Sequence, residues 1–149
     1  PKRDIEFVTN VRTSKRPSSR VGVELSGDKE LIKIAVTNLI SNAIKYSKDH
    51  NEEIVKLNDY ELTITDQGIG ISKNEQAQIF TKHFRSDTSN KIKGSGVGLY
   101  IVEKILKQHQ ASIQVNSKLN EGTQVVVRFN SAPAIAQNEK TTIGNFFTN

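Results

Sequence analysis

The sequence contains no cysteine. That excludes a disulfide framework and any thiolate metal centre. Its three histidines, His50, His83 and His109, are scattered along the chain and make no zinc pattern. No stretch approaches the roughly 18 consecutive apolar residues of a membrane-spanning helix, and no secretory signal opens the chain. The expectation is a soluble, cytoplasmic chain. It starts at Pro1 rather than methionine. A longer parent stays open on that ground, and any membrane link is expected only through such a parent. At 149 residues the chain has the size of one domain and can bury a core without staples.

What is present begins with charge. The net charge is +5, and Lys2, Arg3, Arg12, Lys15, Arg16 and Arg20 all fall in the first twenty positions. One reading is a solvated basic loop. The other is attraction to an acidic partner or nucleic acid. The second rests on charge alone, so no nucleic-acid partner is expected.

Hydrophobic periodicity then divides the chain. Residues 4–11 and 21–25 alternate and read as strands, with loop chemistry at 13–20. From Asp28, a fair N-cap, to about Ser47 the period is helical, with Leu31, Ile34, Ala35, Leu39 and Ala43 on one face. Residues 53–66 read as two strands around a turn at Asn58 and Asp59. A short helix is expected at 73–80, a mobile polar loop at 85–96 and an amphipathic helix at 97–110. Two more strands follow at 111–117 and 122–129. The expected domain spans residues 1–130. Residues 131–149 show no period and read as a disordered tail or linker. Strand pairs joined by short turns argue against a doubly wound parallel sheet. The fold class is therefore an α/β two-layer sandwich: a mixed, mostly antiparallel sheet covered on one face by helices.

Three segments carry chemistry. In VTNLISNAIKYS (36–47) Asn38, Asn42 and Tyr46 are successive i, i+4 neighbours, and Lys45 lies seven after Asn38. An otherwise apolar helix thus carries two amides, a phenol and an ammonium on one stripe. A buried amide without partners costs about 1–3 kcal/mol. These groups should meet a polar ligand, water or metal, unless the asparagines simply sit at the helix edge. In TDQGIGI (65–71) Asp66 ends a strand, and Gly68 and Gly70 let backbone approach a flat ring. Alone, an ordinary glycine turn explains it; a calcium loop does not fit. In GSGVGLYIV (94–102) alternate glycines run into a helix start, which offers free N–H groups to phosphate. It is neither a Walker loop nor a dinucleotide fingerprint.

In this order the three segments resemble the ATP-binding catalytic domain of sensor histidine kinases, in the Bergerat-fold superfamily. That superfamily also holds type II topoisomerase ATPase domains, a heat-shock chaperone and mismatch-repair ATPases. NLISNAIKYS resembles the N box, DQGIGI the first glycine box and GSGVGLYIV the second. IFTKHFR (79–85) resembles the phenylalanine box, and EGTQVVVRF the closing strand. The similarity covers residues 4–130.

The resemblance implies that the cofactors are ATP and Mg²⁺, with Asn42 coordinating the metal and Asn38 supporting the same site. It implies that Lys45 neutralises phosphate charge and that Tyr46 lies against adenine. Asp66 would accept the adenine amino group, with Gly68, Gly70 and Ile71 of the glycine box and Thr123 beside it. Residues 72–98 would form a lid over ATP. Gly94, Ser95, Gly96, Val97, Gly98 and Leu99 would offer backbone contacts to phosphate, and Arg85 or Lys82 would reach the γ-phosphate.

Hydrolysing members of the superfamily carry a glutamate base four residues before the metal-binding asparagine. Here that position is Asn38, and an amide cannot take a proton from water. The implied activity is therefore transfer of the γ-phosphate to a histidine. That histidine belongs to a phosphoacceptor hairpin domain, in the same parent or in trans, with a response regulator downstream. None of this chain's histidines has a matching helical context, so the piece is expected not to autophosphorylate alone; dimerisation in such kinases normally comes from that hairpin, so the piece is expected to be monomeric. Three departures stand out. His83 replaces the second aromatic of the phenylalanine box, HQA (109–111) replaces His-Gly-Gly, and Gln67 replaces asparagine. Two alternatives remain: an anti-sigma-type serine kinase, and a non-catalytic regulatory ATP-binding or docking module.

Overall fold

The computed structural model describes residues 5–10, 24–48, 53–58, 60–86, 94–130 and 140–142. Among these residues nine elements follow in chain order: β1 (Ile5–Asn10), β2 (Glu24–Ser26), α1 (Lys29–Tyr46), β3 (Glu53–Asn58), β4 (Glu61–Asp66), α2 (Gly98–Gln108), β5 (Ser112–Lys118), β6 (Gly122–Arg128) and β7 (Lys140–Thr142).

The main sheet has the order β1-β3-β4-β6-β5. The run β3-β4-β6-β5 is antiparallel throughout, and β1 joins its edge in parallel. The expected mixed, mostly antiparallel sheet is what forms. β3 and β4 make the hairpin, but Asn58 pairs with Glu61, so the turn is centred one residue later than the sequence suggested. Alternation does the sorting. Leu62, Ile64 and Asp66 of β4 face the helices, as do Val55 and Leu57 of β3, while Lys56 and Asn58 face outward.

Both helices pack on that inner face. Asp28 caps α1 by accepting from the Leu31 N–H at 3.0 Å. The buried stripe of α1 is Ile32, Ala35, Val36, Leu39 and Ala43. Ile34, expected on that face, is 43% exposed. At 100° per residue it falls about 200° from both Ile32 and Val36, which take the core instead. Val102, Ile105 and Leu106 of α2 complete the core with Val127 and Phe129. The α2 C-terminus closes against the start of α1. His109 Nδ1 meets the Ile105 carbonyl at 2.7 Å, and its Nε2 accepts from the Asp28 N–H at 3.0 Å. The ring is therefore the Nδ1–H tautomer, filling space left open by Gly27.

Three features differ from the sequence reading or add to it. Residues 73–80 are a chain of turns rather than a helix. Their bonds are mostly i to i+3: Glu75 to Ser72, Gln78 to Glu75 and Thr81 to Gln78. The Gln76 side chain bonds outside the segment, and no i+4 ladder propagates. Second, among the described residues β1 and β2 share no sheet. β2 instead pairs antiparallel with β7. Third, Lys140–Thr142, within the expected tail, therefore form a strand. Most of the expected mobile loop and the rest of the tail lie outside the described residues. Among the described residues no helix is long and apolar enough to cross a membrane.

Candidate nucleotide site

A cleft of about 870 Å³, partly open to solvent, lies between α1, the end of β4, the segment 79–86 and the start of α2. Leu39, Ala43, Ile64, Val115 and Val125 floor it, and Ile79 and Phe84 wall it. The helical stripe of α1 delivers Asn42 and Tyr46 to its rim.

At one end sits Asp66, buried at the end of β4. Its Oδ1 accepts from the Gly68 N–H at 2.8 Å and from the Thr123 N–H at 3.2 Å. With both donors on Oδ1, Oδ2 is left for a ligand in the cleft. Burial pushes the Asp66 carboxyl above its ordinary range. The two N–H donors oppose that rise, and the charge of Glu53 adds to it.

The loop after Asp66 is clamped. Ile69 N–H donates to the Tyr46 carbonyl at 3.1 Å, and Asn120 N–H donates to the Ile69 carbonyl at 2.7 Å. Gly70 has φ +66°, and a side chain there would collide with the Lys118 carbonyl. Ser117 has a single hydroxyl proton. The Gly122 carbonyl, 2.9 Å away, can only accept it. Thr123 Oγ1, 2.8 Å from Ser117 Oγ, must therefore be the donor of that pair. Its lone pairs remain for the cleft. This end thus offers acceptors, suited to an amino-bearing ring.

The opposite end has the reverse character. α2 starts at Gly98 with Val97 as its N-cap, and no side chain caps it. The first-turn N–H groups are open to an anion. Asn38 donates through Nδ2 to the Ile34 carbonyl at 2.9 Å. Its Oδ1 is turned to the start of α2, where a Cβ at Gly98 would stand 3.2 Å away. The Lys45 ammonium reaches the space a side chain at Gly94 would fill. Gly96, at φ +69°, accepts at its carbonyl from the His83 N–H at 3.0 Å.

Residues 27–133 match the family described as histidine kinase-, DNA gyrase B-, and HSP90-like ATPases. The chain belongs to that family. It is 33% identical over 120 residues to the sensor-like histidine kinase SenX3 of Mycolicibacterium smegmatis, covering 76% of this chain and 31% of that protein. It is 36% identical over 115 residues to the heme sensor protein HssS of Staphylococcus saprophyticus, covering 74% and 25%. The mycobacterial sensor histidine kinase MprB superposes with a TM-score of 0.67 at 29% identity, covering 87% of this chain and 83% of that one. The chain thus has the histidine kinase-type ATPase fold found in sensor kinases. It spans about a third or less of the length of these curated relatives.

The cleft brings together Asn42, Tyr46, Asp66, Gly70, Ile71, Arg85, Gly96, Leu99 and Thr123 from the sequence expectations. Asn38, Lys45, Gly68, Gly94, Ser95, Val97 and Gly98 stand outside its lining. Of these, Asn38 and Lys45 abut the second glycine box, and Gly68 bonds Asp66. Lys82 also lies outside, its ammonium 5.9 Å from the Tyr100 ring centre; among the described residues Arg85 is the cation in the lining. His83 is exposed with φ +64°, and the next residue, Phe84, supplies the wall. Sequence reasoning missed Ser117 and Gln76, whose bonds Ile71–Ser117 and Gln76–Ser117 span 46 and 41 residues. It also missed Ser86 and the apolar walls.

Among the described residues no three His, Cys, Asp or Glu side chains gather into a metal cage.

Proposed function

We propose that this chain is the ATP-binding half of a sensor histidine kinase. It binds Mg-ATP and presents the γ-phosphate to a histidine on a separate phosphoacceptor hairpin domain, with a response regulator receiving the group downstream. The observation that carries this reading is the polarity of one cleft: acceptors at Asp66 and Thr123 at one end, the uncapped start of α2 at the other. A nucleotide has matching ends, an amino-bearing base and a polyphosphate.

Asp66 Oδ2 accepts from the adenine amino group, and Tyr46 lies along the ring. The α2 N–H groups and Arg85 face the phosphates, with Lys45 behind the second glycine box. Asn42 would hold the metal, which neutralises phosphate charge when bound. The phosphoryl group leaves the β–γ bridging oxygen for a histidine nitrogen, and ADP remains. Asn38, its amide donating to Ile34, is no base for water, so transfer is favoured over hydrolysis.

The test supplies a histidine hairpin from a related sensor kinase in trans with radiolabelled ATP. Acid-labile label on the hairpin histidine is the expected result. Label on serine supports the anti-sigma-type alternative. Nucleotide binding without transfer to any hairpin supports a regulatory module.

A further inference from the structure

The loop 68–71 has its polar groups bonded one after another. Gly68, Ile69 and Ile71 donate to Asp66 Oδ1, the Tyr46 carbonyl and Ser117 Oγ, and Asn120 N–H donates to the Ile69 carbonyl. All those partners belong to α1, β4 or the β5–β6 hairpin. One bond comes from the segment that follows. Gln76 Nε2 donates to the Ile71 carbonyl at 3.0 Å. The same nitrogen donates to the Ser117 carbonyl at 2.8 Å. Both acceptors are carbonyl oxygens, so only the NH₂ end of the amide can face them, and each of its hydrogens has a partner. The turn presenting Gln76 is closed by the Ser72 hydroxyl donating to Glu75.

We infer that Gln76 is a positioning residue, a latch that fastens the segment 72–86 to the adenine-side loop and to β5. The inference rests on reading the cleft as an adenine nucleotide site. Ile71 lines the cleft, and its N–H and carbonyl are fixed from two sides, by Ser117 and by Gln76. Gln76 itself stands outside the lining. The same segment carries Ile79, Phe84 and Arg85 to the cleft wall. Without the two donors, two carbonyl oxygens face one another across a gap with no hydrogen between them. The loop must then shift or admit water, and the shape matched to the base is lost.

Gln76→Glu tests this, because a carboxylate of the same shape cannot donate. Gln76→Lys is the rescue, because an ammonium donates to both carbonyls. The expected result for Gln76→Glu is an ADP affinity about tenfold lower, the loss of roughly one hydrogen bond. Hydrogen exchange at the Ile71 amide should accelerate in the same variant. Gln76→Lys should restore both. Unchanged Ile71 exchange in Gln76→Glu overturns the latch. So does an ADP affinity equal to the parent's, or a Gln76→Lys variant as weak as Gln76→Glu. If the parent binds no ADP, the nucleotide reading fails, and Ile71 exchange still decides whether Gln76 holds the loop.

Discussion

Replacing Asp66 by asparagine should move binding and stability in opposite directions. The substitution keeps shape. The new side chain can keep its carbonyl on the Gly68 and Thr123 N–H groups, where the Asp66 Oδ1 now accepts at 2.8 and 3.2 Å. Its amide nitrogen then points where Oδ2 faced the cleft, and an acceptor becomes a donor. A hydrogen bond to a charged group contributes about 1.5–3 kcal/mol. At 1.4 kcal/mol per decade, adenine nucleotide affinity should fall roughly 10- to 140-fold. Stability follows the carboxyl's own titration. Its folded pKa lies above the unfolded value, chiefly through burial. Its contribution is therefore full below the unfolded value, near pH 4, and is lost as pH rises through the folded one. At neutral pH the parent bears that cost, and the neutral isostere does not. Asp66→Asn should unfold at an equal or higher temperature at pH 7, with a flatter stability profile above pH 4. Calorimetric titration and thermal unfolding at several pH values read both effects. A variant that binds like the parent, or that is clearly less stable at pH 7, would refute the reasoning.

Other substitutions test the frame around the site. Gly68→Ala drives a Cβ into the Tyr46 carbonyl, a backbone group that cannot swing aside. It should destabilise by about 3 kcal/mol, the upper end of overpacking costs, in denaturant unfolding. Gln110 holds a left-handed conformation, φ +55°, just after α2. Gln110→Gly should raise stability by about 0.5–1 kcal/mol and leave nucleotide affinity unchanged. His109→Ala removes both the Asp28 and Ile105 contacts and should cost about 1–3 kcal/mol, visible as a lower melting temperature.

Much of the cleft's lining was legible because its signals are local. Asn42 and Tyr46 announce themselves by helical spacing, and Asp66 by ending an alternating strand before a glycine turn. The walls were not legible. Val115 and Val125 alternate like any inward strand residue, and nothing in the alternation says that they border a cleft rather than fill a core. The segment 73–80 misled for a related reason. It reads as a short helix, but Gln76 bonds Ile71 and Ser117, and the distant Ser117 is invisible in a window of eight residues. The parallel pairing of β1 with β3 spans the whole of α1, and the pairing of β2 with β7 crosses most of the chain, with no turn to mark either. The hairpins β3–β4 and β5–β6 close locally and were read directly.

Titration of the chain with a non-hydrolysable ATP analogue, with and without Mg²⁺, tests the central claim most directly. The account predicts saturable binding that strengthens with Mg²⁺ and loses that dependence in Asn42→Ala. Absence of binding at millimolar analogue, or binding indifferent to both Mg²⁺ and Asn42, would contradict it.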